Sequence, residues 1–185
     1  DLKPNFTSPY CNRGLIKDMK GDLNGAIDDY TKAINLNPKF STAFNNRGIA
    51  HEKLNEYSLA ISDFTNAIKI NNRFANAYSN RAIVRIVIKD FEKALEDLNM
   101  AIELSPKFAM PYFNRGIFKT EILKKYDEAI LDFNKAIELN SKYSNAYYQR
   151  SLLKKVIGDI DGFEKDIKNA ANFGHKKSIE ILEKE

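Results

Sequence analysis

The sequence predicts an all-α fold, an α-solenoid of stacked antiparallel helix pairs. Three observations predict it. The segments CNRG (11–14), NNRG (45–48), SNRA (79–82), FNRG (113–116) and YQRS (148–151) recur every 34 residues, with one step of 35. The stretch after each carries apolar residues at helical spacing, as in Ala26, Ile27, Tyr30, Ala33 and Ile34. Only eight Gly and five Pro occur in 185 residues, too few for a turn-rich β architecture.

The elements follow in order. Residues 1–6 (DLKPNF) match the unit endings INLNPKF and IELSPKF and read as the tail of a preceding repeat, so the chain is expected to be part of a longer array. Five units follow, at 7–40, 41–74, 75–108, 109–143 and 144–174, and a capping helix at 175–185. In the first unit a helix spans about Ser8–Lys20. Gly21-Asp22 makes a turn, a second helix spans Asn24–Leu36, and Pro38 stops it. The extra residue of the fourth unit falls between Gly116 and Tyr126, in the inter-helix turn or at the end of the first helix. Small residues recur at Gly14, Gly48, Ala82, Gly116 and Ser151, and again at Ala26, Ala60, Ala94 and Ala129, allowing two helices to approach closely. One such hairpin cannot bury its apolar face alone, but stacked hairpins can. Gly174 breaks the last second helix early. Ile179, Ile181 and Leu182 behind it would cover the open end of the stack.

Composition excludes several function classes. Hydrophobic residues at 43% and charged residues at 29% fit a folded domain rather than a disordered chain. A net charge of +4 is too small to argue for nucleic acid. One cysteine, Cys11, permits no internal disulfide and fits cytosol and secretion alike. Two histidines, His51 and His175, leave little for zinc or acid–base chemistry. No apolar run reaches membrane-spanning length. There is no phosphate-binding glycine loop, no HExxH and no Cys/His cluster, so no catalytic residue, metal or cofactor is assigned. Cys11 has no evident His beside it and no reason for a lowered pKa.

The period, the aromatic column (Tyr10, Phe44, Tyr78, Tyr112, Tyr147), the two small-residue columns and the closing Pro resemble the tetratricopeptide repeat family over nearly the whole chain. The departures are local: the aromatic column is never Trp, and Phe163 stands where the other units have Ala. The resemblance implies a right-handed superhelix. Its concave surface would be lined by one face of each first helix (Ser8, Cys11, Asn12, Leu15 and Met19 in the first unit), and its partner would be a protein or peptide.

On that face Asn12, Asn46, Asn80, Asn114 and Gln149 form a column of side-chain amides, each with two donors and two acceptor sites. Such a ladder can hydrogen-bond the backbone of an extended peptide, or merely bond neighbouring helices and water. The column is similar to the asparagine ladder in the repeat superhelix of O-linked N-acetylglucosamine transferases. Beside it, Leu15, Ile49, Ile83, Ile117 and Leu152 read first as packing between successive first helices. Ile86 and Val87 join Ile83, and Met110 and Phe113 join Ile117, as an apolar anchor for a partner, with self-association as the competing reading.

The Arg column (Arg13, Arg47, Arg81, Arg115, Arg150) takes five of the seven arginines, which tempts a phosphate or RNA reading. Each unit also carries an Asp in its second helix (Asp29, Asp63, Asp97, Asp132, Asp166), so the expectation is an ion pair between the two helices. A second basic column, Lys17, His51, Arg85, Lys119 and Lys154, is expected to make surface pairs with Asp22, Glu56, Asp90 and Asp159 at the turns. Family members that clamp a chaperone's C-terminal carboxylate use two Lys, an Arg and two Asn across three units; the corresponding places here (Cys11, Leu15, Asn46, Asn76 and Asn80, or the equivalent sets one and two units on) supply Asn but no cation, so that activity is not expected. The function expected is a protein-interaction scaffold with a groove for an extended peptide. The alternative is the substrate-recognition arm of a larger enzyme whose catalytic domain lies outside this chain. Nucleic-acid binding ranks last, because the groove residues are mostly neutral.

Overall fold

The computed structural model describes residues 7–184, all in helices and the turns between them. Helices α1 (Thr7–Met19) and α2 (Leu23–Leu36) form the first pair. The second pair is α3 (Ser41–Lys53) with α4 (Tyr57–Ile70), and the third is α5 (Ala75–Val87) with α6 (Phe91–Leu104). Helix α7 (Ala109–Phe118) runs into a π turn, Lys119–Leu123, before α8 (Tyr126–Leu139). Helices α9 (Ser144–Val156), α10 (Ile160–Asn172) and α11 (Lys176–Leu182) follow. The tail of a preceding repeat expected at 1–6 lies outside the described residues. The helices group into two compact units, one ending at Leu104 and one starting at Ser105. In the first, α2 packs on α3 and α4 on α5; in the second, α8 packs on α9 and α10 on α11. Within each unit, consecutive pairs thus stack as in an α-solenoid.

One device closes every pair. The amide of Asp22 donates to the carbonyl of Lys17 (3.0 Å), Glu56 to His51 (2.9 Å), Asp90 to Arg85 (2.8 Å) and Asp159 to Lys154 (2.9 Å). This is the long bond of a Schellman cap, and the residue inside it must turn left-handed. Gly21 does so at φ 83°, where no Cβ opposes it, whereas Lys89 at φ 65° takes the same conformation against that resistance. In the fourth pair the Lys125 amide reaches the carbonyl of Lys119 (2.9 Å), the same column position with one more residue between the two. The extra residue therefore sits at the end of the first helix, absorbed as the π turn.

Three of the second helices, α2, α4 and α8, end on asparagine. The Oδ1 atoms of Asn37, Asn71 and Asn140 accept from the amides of Lys39, Arg73 and Lys142 at 3.0, 3.1 and 3.2 Å. These side-chain turns compete with the next helical bond. Pro38 reinforces the first stop, yet Asn72 and Ser141 hold its place in two other units and the helix ends there too. Asp22 and Asp159, expected to pair with the basic column, instead cap α2 and α10. Each accepts the amide three residues on, from Gly25 (3.0 Å) and Gly162 (2.9 Å).

The core is built between hairpins as much as within them. Tyr30, Phe64, Leu98, Phe133 and Ile167 form a column of buried side chains. Phe64 clusters with Ala60 and with Val84 of the next pair, and Phe133 with Ala129 and with Leu153 of the next pair. The small column faces these side chains. A Cβ on Gly14, Gly48 or Gly116 would lie 2.7, 2.8 or 2.6 Å from the ring of Tyr30, Phe64 or Phe133. Where the column instead holds Ala82 or Ser151, the residue at the position equivalent to the ring is the aliphatic Leu98 or Ile167.

Tyr30 carries the one hydroxyl in this column. It is fully buried, its oxygen has no hydrogen-bond partner among the described residues, and burial pushes its pKa up. A buried hydroxyl without a partner loses its hydration and gains nothing in return. The variant Tyr30→Phe is expected to be more stable by about 1 kcal/mol. A urea midpoint that falls instead of rising would show that the hydroxyl is satisfied in solution.

Candidate functional site

The first helices carry three parallel columns of polar side chains, and the structure assigns the two charged ones to the fold. In every pair the column arginine grips the aspartate of the second helix through two hydrogen bonds. Arg13 reaches Asp29 at 2.7 and 2.6 Å, Arg47 reaches Asp63 at 2.8 and 2.8 Å, and Arg81 reaches Asp97 at 2.9 and 2.8 Å. Arg115 reaches Asp132 at 3.0 and 2.7 Å, and Arg150 reaches Asp166 at 2.7 and 2.7 Å. This fork-to-carboxylate geometry is the strongest ionic hydrogen bonding available to side chains. Each guanidinium also stands over the aromatic column, 5.2–5.8 Å from the rings of Tyr10, Phe44, Tyr78, Tyr112 and Tyr147. Arg47 and Arg81 further donate to Thr31 (2.9 Å) and Thr65 (3.0 Å) of the preceding pair. Arg150 donates likewise to Asn134 (2.6 Å).

The second basic column corrects the sequence expectation. It turns mainly to the buried aspartate rather than to the turn acids. Lys17 lies 3.0 Å from Asp29, Arg85 2.6 Å from Asp97, Lys119 2.9 Å from Asp132 and Lys154 3.0 Å from Asp166. His51 alone pairs as expected, with Glu56 at 2.6 Å, and its other nitrogen lies 3.8 Å from Asp63. The reason is desolvation: a carboxylate this deeply buried needs more than one cation around it. The grip of Arg13 holds the Asp29 carboxyl well below the usual carboxylate range, with Lys17 adding to it against the opposing effect of burial.

The amide column is different, because much of its capacity stays open. Asn12 is exposed, while Asn46, Asn80, Asn114 and Gln149 are half-buried. Asn46 donates to the Cys11 sulfur (3.8 Å) and accepts from Asn45 (3.3 Å), and Asn80 donates to Asn45 Oδ1 (3.1 Å). These bonds join each amide to the preceding first helix and fix its rotamer. The carbonyl oxygen of Asn80 and the whole amides of Asn12 and Gln149 have no hydrogen bond to another described residue. Cys11, expected on the open face, is 5% exposed and packs with Ala26, Tyr30, Ala33 and Ala43. Burial pushes its thiol pKa up, against the pull of the Asn46 bond. That is the opposite of an activated nucleophile.

The apolar residues divide. Ile49 packs on Phe64 and Val84, and Ile117 on Phe133 and Leu153, which places both at the edge of the core. Ile83 and Ile86 are half-buried on α5, Val87 is 48% exposed, and Met110 is half-buried on α7. Phe113 stands against two rings, with centroids 5.9 Å from Phe133 and 4.9 Å from Tyr143. Its other side lines a cavity of about 480 Å³, together with Asn145, Tyr148, Gln149 and the turn Gly174–Lys177. Sequence reasoning missed this cavity, since its walls come from α7, α9 and the turn before α11. Among the described residues no three His, Cys, Asp or Glu side chains are placed to hold a metal ion, and no helix is long and apolar enough to cross a membrane.

Family models match three stretches: one described as TPR repeat at residues 19–55, and two described as tetratricopeptide repeat at 41–74 and 111–143. The chain belongs to the tetratricopeptide repeat family. No curated protein matches it in sequence. Among solved structures, this tetratricopeptide array is similar to MamA at 25% identity, with a TM-score of 0.71 over 89% of this chain and 96% of that one. It is similar to a thermophilic TPR protein of Thermus thermophilus, TTC0263, at 17% identity, with a TM-score of 0.79 over 91% of each chain. YrrB, described as a TPR protein with an unusual peptide-binding site, is similar at 20% identity, with a TM-score of 0.63 over 95% of this chain and 91% of that one. Tetratricopeptide arrays are typically protein-interaction scaffolds and generally non-catalytic.

Proposed function

We propose that this array binds extended segments of a partner protein through the amide-bearing faces of its two units, Asn12, Asn46 and Asn80 in the first and Asn114 and Gln149 in the second. The observation that carries the reading is the state of those amides. Asn46 and Asn80 are pinned by bonds to the preceding first helix, yet Asn80 keeps a free carbonyl oxygen. Amides held in place lose little freedom when a ligand arrives, which favours affinity. Recurring once per repeat, they match the regular donors and acceptors of an extended backbone, whatever its side chains. Ile83, Ile86 and Val87 on α5, and Met110, Phe113 and Ile117 on α7, supply apolar contact. The charged columns do not compete for the ligand, being locked on buried carboxylates. The repeats at 7–40, 41–74, 75–108, 109–143 and 144–174 are proposed to contribute one amide each, three to the face of the first compact unit and two to that of the second.

The test is an affinity capture with the wild-type chain and with Asn12→Ala, Asn80→Ala, Gln149→Ala combined. Circular dichroism and thermal melts check that the fold is kept. A captured protein is expected to be lost, or weakened at least tenfold, in the triple variant, at about 0.5–1 kcal/mol per hydrogen bond. Equal capture by both chains would move the interaction to another surface.

A further inference from the structure

The cavity beside Phe113 has the chemistry of a receptor for one particular kind of side chain. Its lining includes two lysines, Lys176 and Lys177, and no carboxylate. Neither lysine has an ion pair with another described residue. Both are exposed, in the first turn of α11. Two primary amides, Asn145 and Gln149, also line it without hydrogen bonds to described residues, and Ser144 adds a hydroxyl. The remaining lining is aromatic: Tyr148 stacks on His175 with centroids 4.1 Å apart, and Phe113 lines the same cavity. The Nδ1 atom of His175 accepts the Ser178 amide (3.3 Å) and lies 2.9 Å from the Ser178 hydroxyl, which holds the ring in place. A site with unpaired cations, donors and no acid is complementary to a carboxylate.

Gln149 belongs both to this cavity and to the amide column, so the cavity is where a peptide following that column within the second compact unit would place a side chain. No arginine lines it, and so the bidentate fork suited to phosphate is missing. We propose that this cavity receives an Asp or Glu side chain of the bound peptide, making the partner segment acidic at the position read by the last repeat. The inference rests on the peptide-groove reading above.

The test selects displayed random short peptides on the full chain. It then measures the best synthetic peptide and its acid-to-amide analogue by fluorescence anisotropy. The expected result is an acidic residue fixed at one position, with the amide analogue binding about tenfold weaker. In Lys176→Gln, Lys177→Gln, and separately in Asn145→Asp, that preference should disappear. It should persist in Lys165→Gln, Lys168→Gln, which removes the same charge elsewhere on the second unit. Peptides selected without an acidic preference, and indifferent to the cavity variants, would overturn the inference and leave the groove reading standing. Peptides whose amide analogues bind equally well but are displaced by inorganic phosphate would make this a phosphate site and overturn it too. Failure to select any peptide would overturn both readings.

Discussion

Asp97→Ala should cost about 3–5 kcal/mol, the largest loss expected of any single polar substitution in this chain. Asp97 is 3% exposed and holds Arg81 and Arg85, whose side chains are only 12% and 14% exposed. Removing the carboxylate leaves two poorly solvated cations facing one another, and neither can swing into water without leaving its packing against Tyr78 or its bond to the Lys93 carbonyl. The same change at Asp29 should cost clearly less, because Arg13 is 54% exposed and Lys17 33%, so both can rehydrate. Urea titrations of the two variants decide the matter, and equal losses would show that exposure of the cations is irrelevant. Asp29 also contributes to the response to acid. The folded-state pKa of Asp29 is depressed below its unfolded value near 4, so its contribution to stability is present above that value. It is lost as pH falls through the folded-state value, and the urea midpoint should drop on acidification below about pH 4.

Gly48→Ala should destabilise the array by roughly 1–3 kcal/mol, even though Ala is the better helix former by about 1 kcal/mol. The added methyl would sit 2.8 Å from Cε1 and 2.9 Å from Cδ1 of Phe64, a ring that is 1% exposed and cannot withdraw. The chain contains its own answer, since the equivalent positions of the next unit hold Ala82 and Leu98. Phe64→Leu alone should also destabilise, by opening a cavity. The double variant should then be more stable than the sum of the singles predicts, with a coupling of about 1–3 kcal/mol. Additive losses would mean that the ring does not set the size limit at Gly48.

These two variants mark where the sequence was legible. The 34-residue period exposed the helix pairs, the Arg–Asp pairing and the turn at Gly21, because each recurs in every unit and recurrence reveals co-dependence. The link between the small column and the buried rings was also written there, as Gly with Tyr30, Phe64 and Phe133 but Ala or Ser with Leu98 and Ile167. It needs the fold to show which columns face one another. The second basic column was misread for a related reason. Proximity along the chain favoured Asp22 and Asp159, whereas burial, invisible in sequence, gives the claim to Asp29 and Asp166. Asn80 and Gln149 entered the candidate site by regularity alone. The cavity beside Phe113 was not, because residues from the last pair and the turn at His175 meet only once and leave no periodic trace.

The π turn at Lys119–Leu123 has a consequence for how such arrays change length. The cap bond returns to the carbonyl of the same column position, Lys119, as it does at Lys17, His51, Arg85 and Lys154. The strand of backbone between those two anchors behaves as slack in a buckled strap. An inserted residue bulges there, while the second helix re-enters in phase and Asp132 still meets Arg115. An insertion within α8 would instead rotate every later side chain by about 100°. Single-residue gains and losses in this protein should therefore be tolerated at the first-helix exits and rejected almost everywhere else.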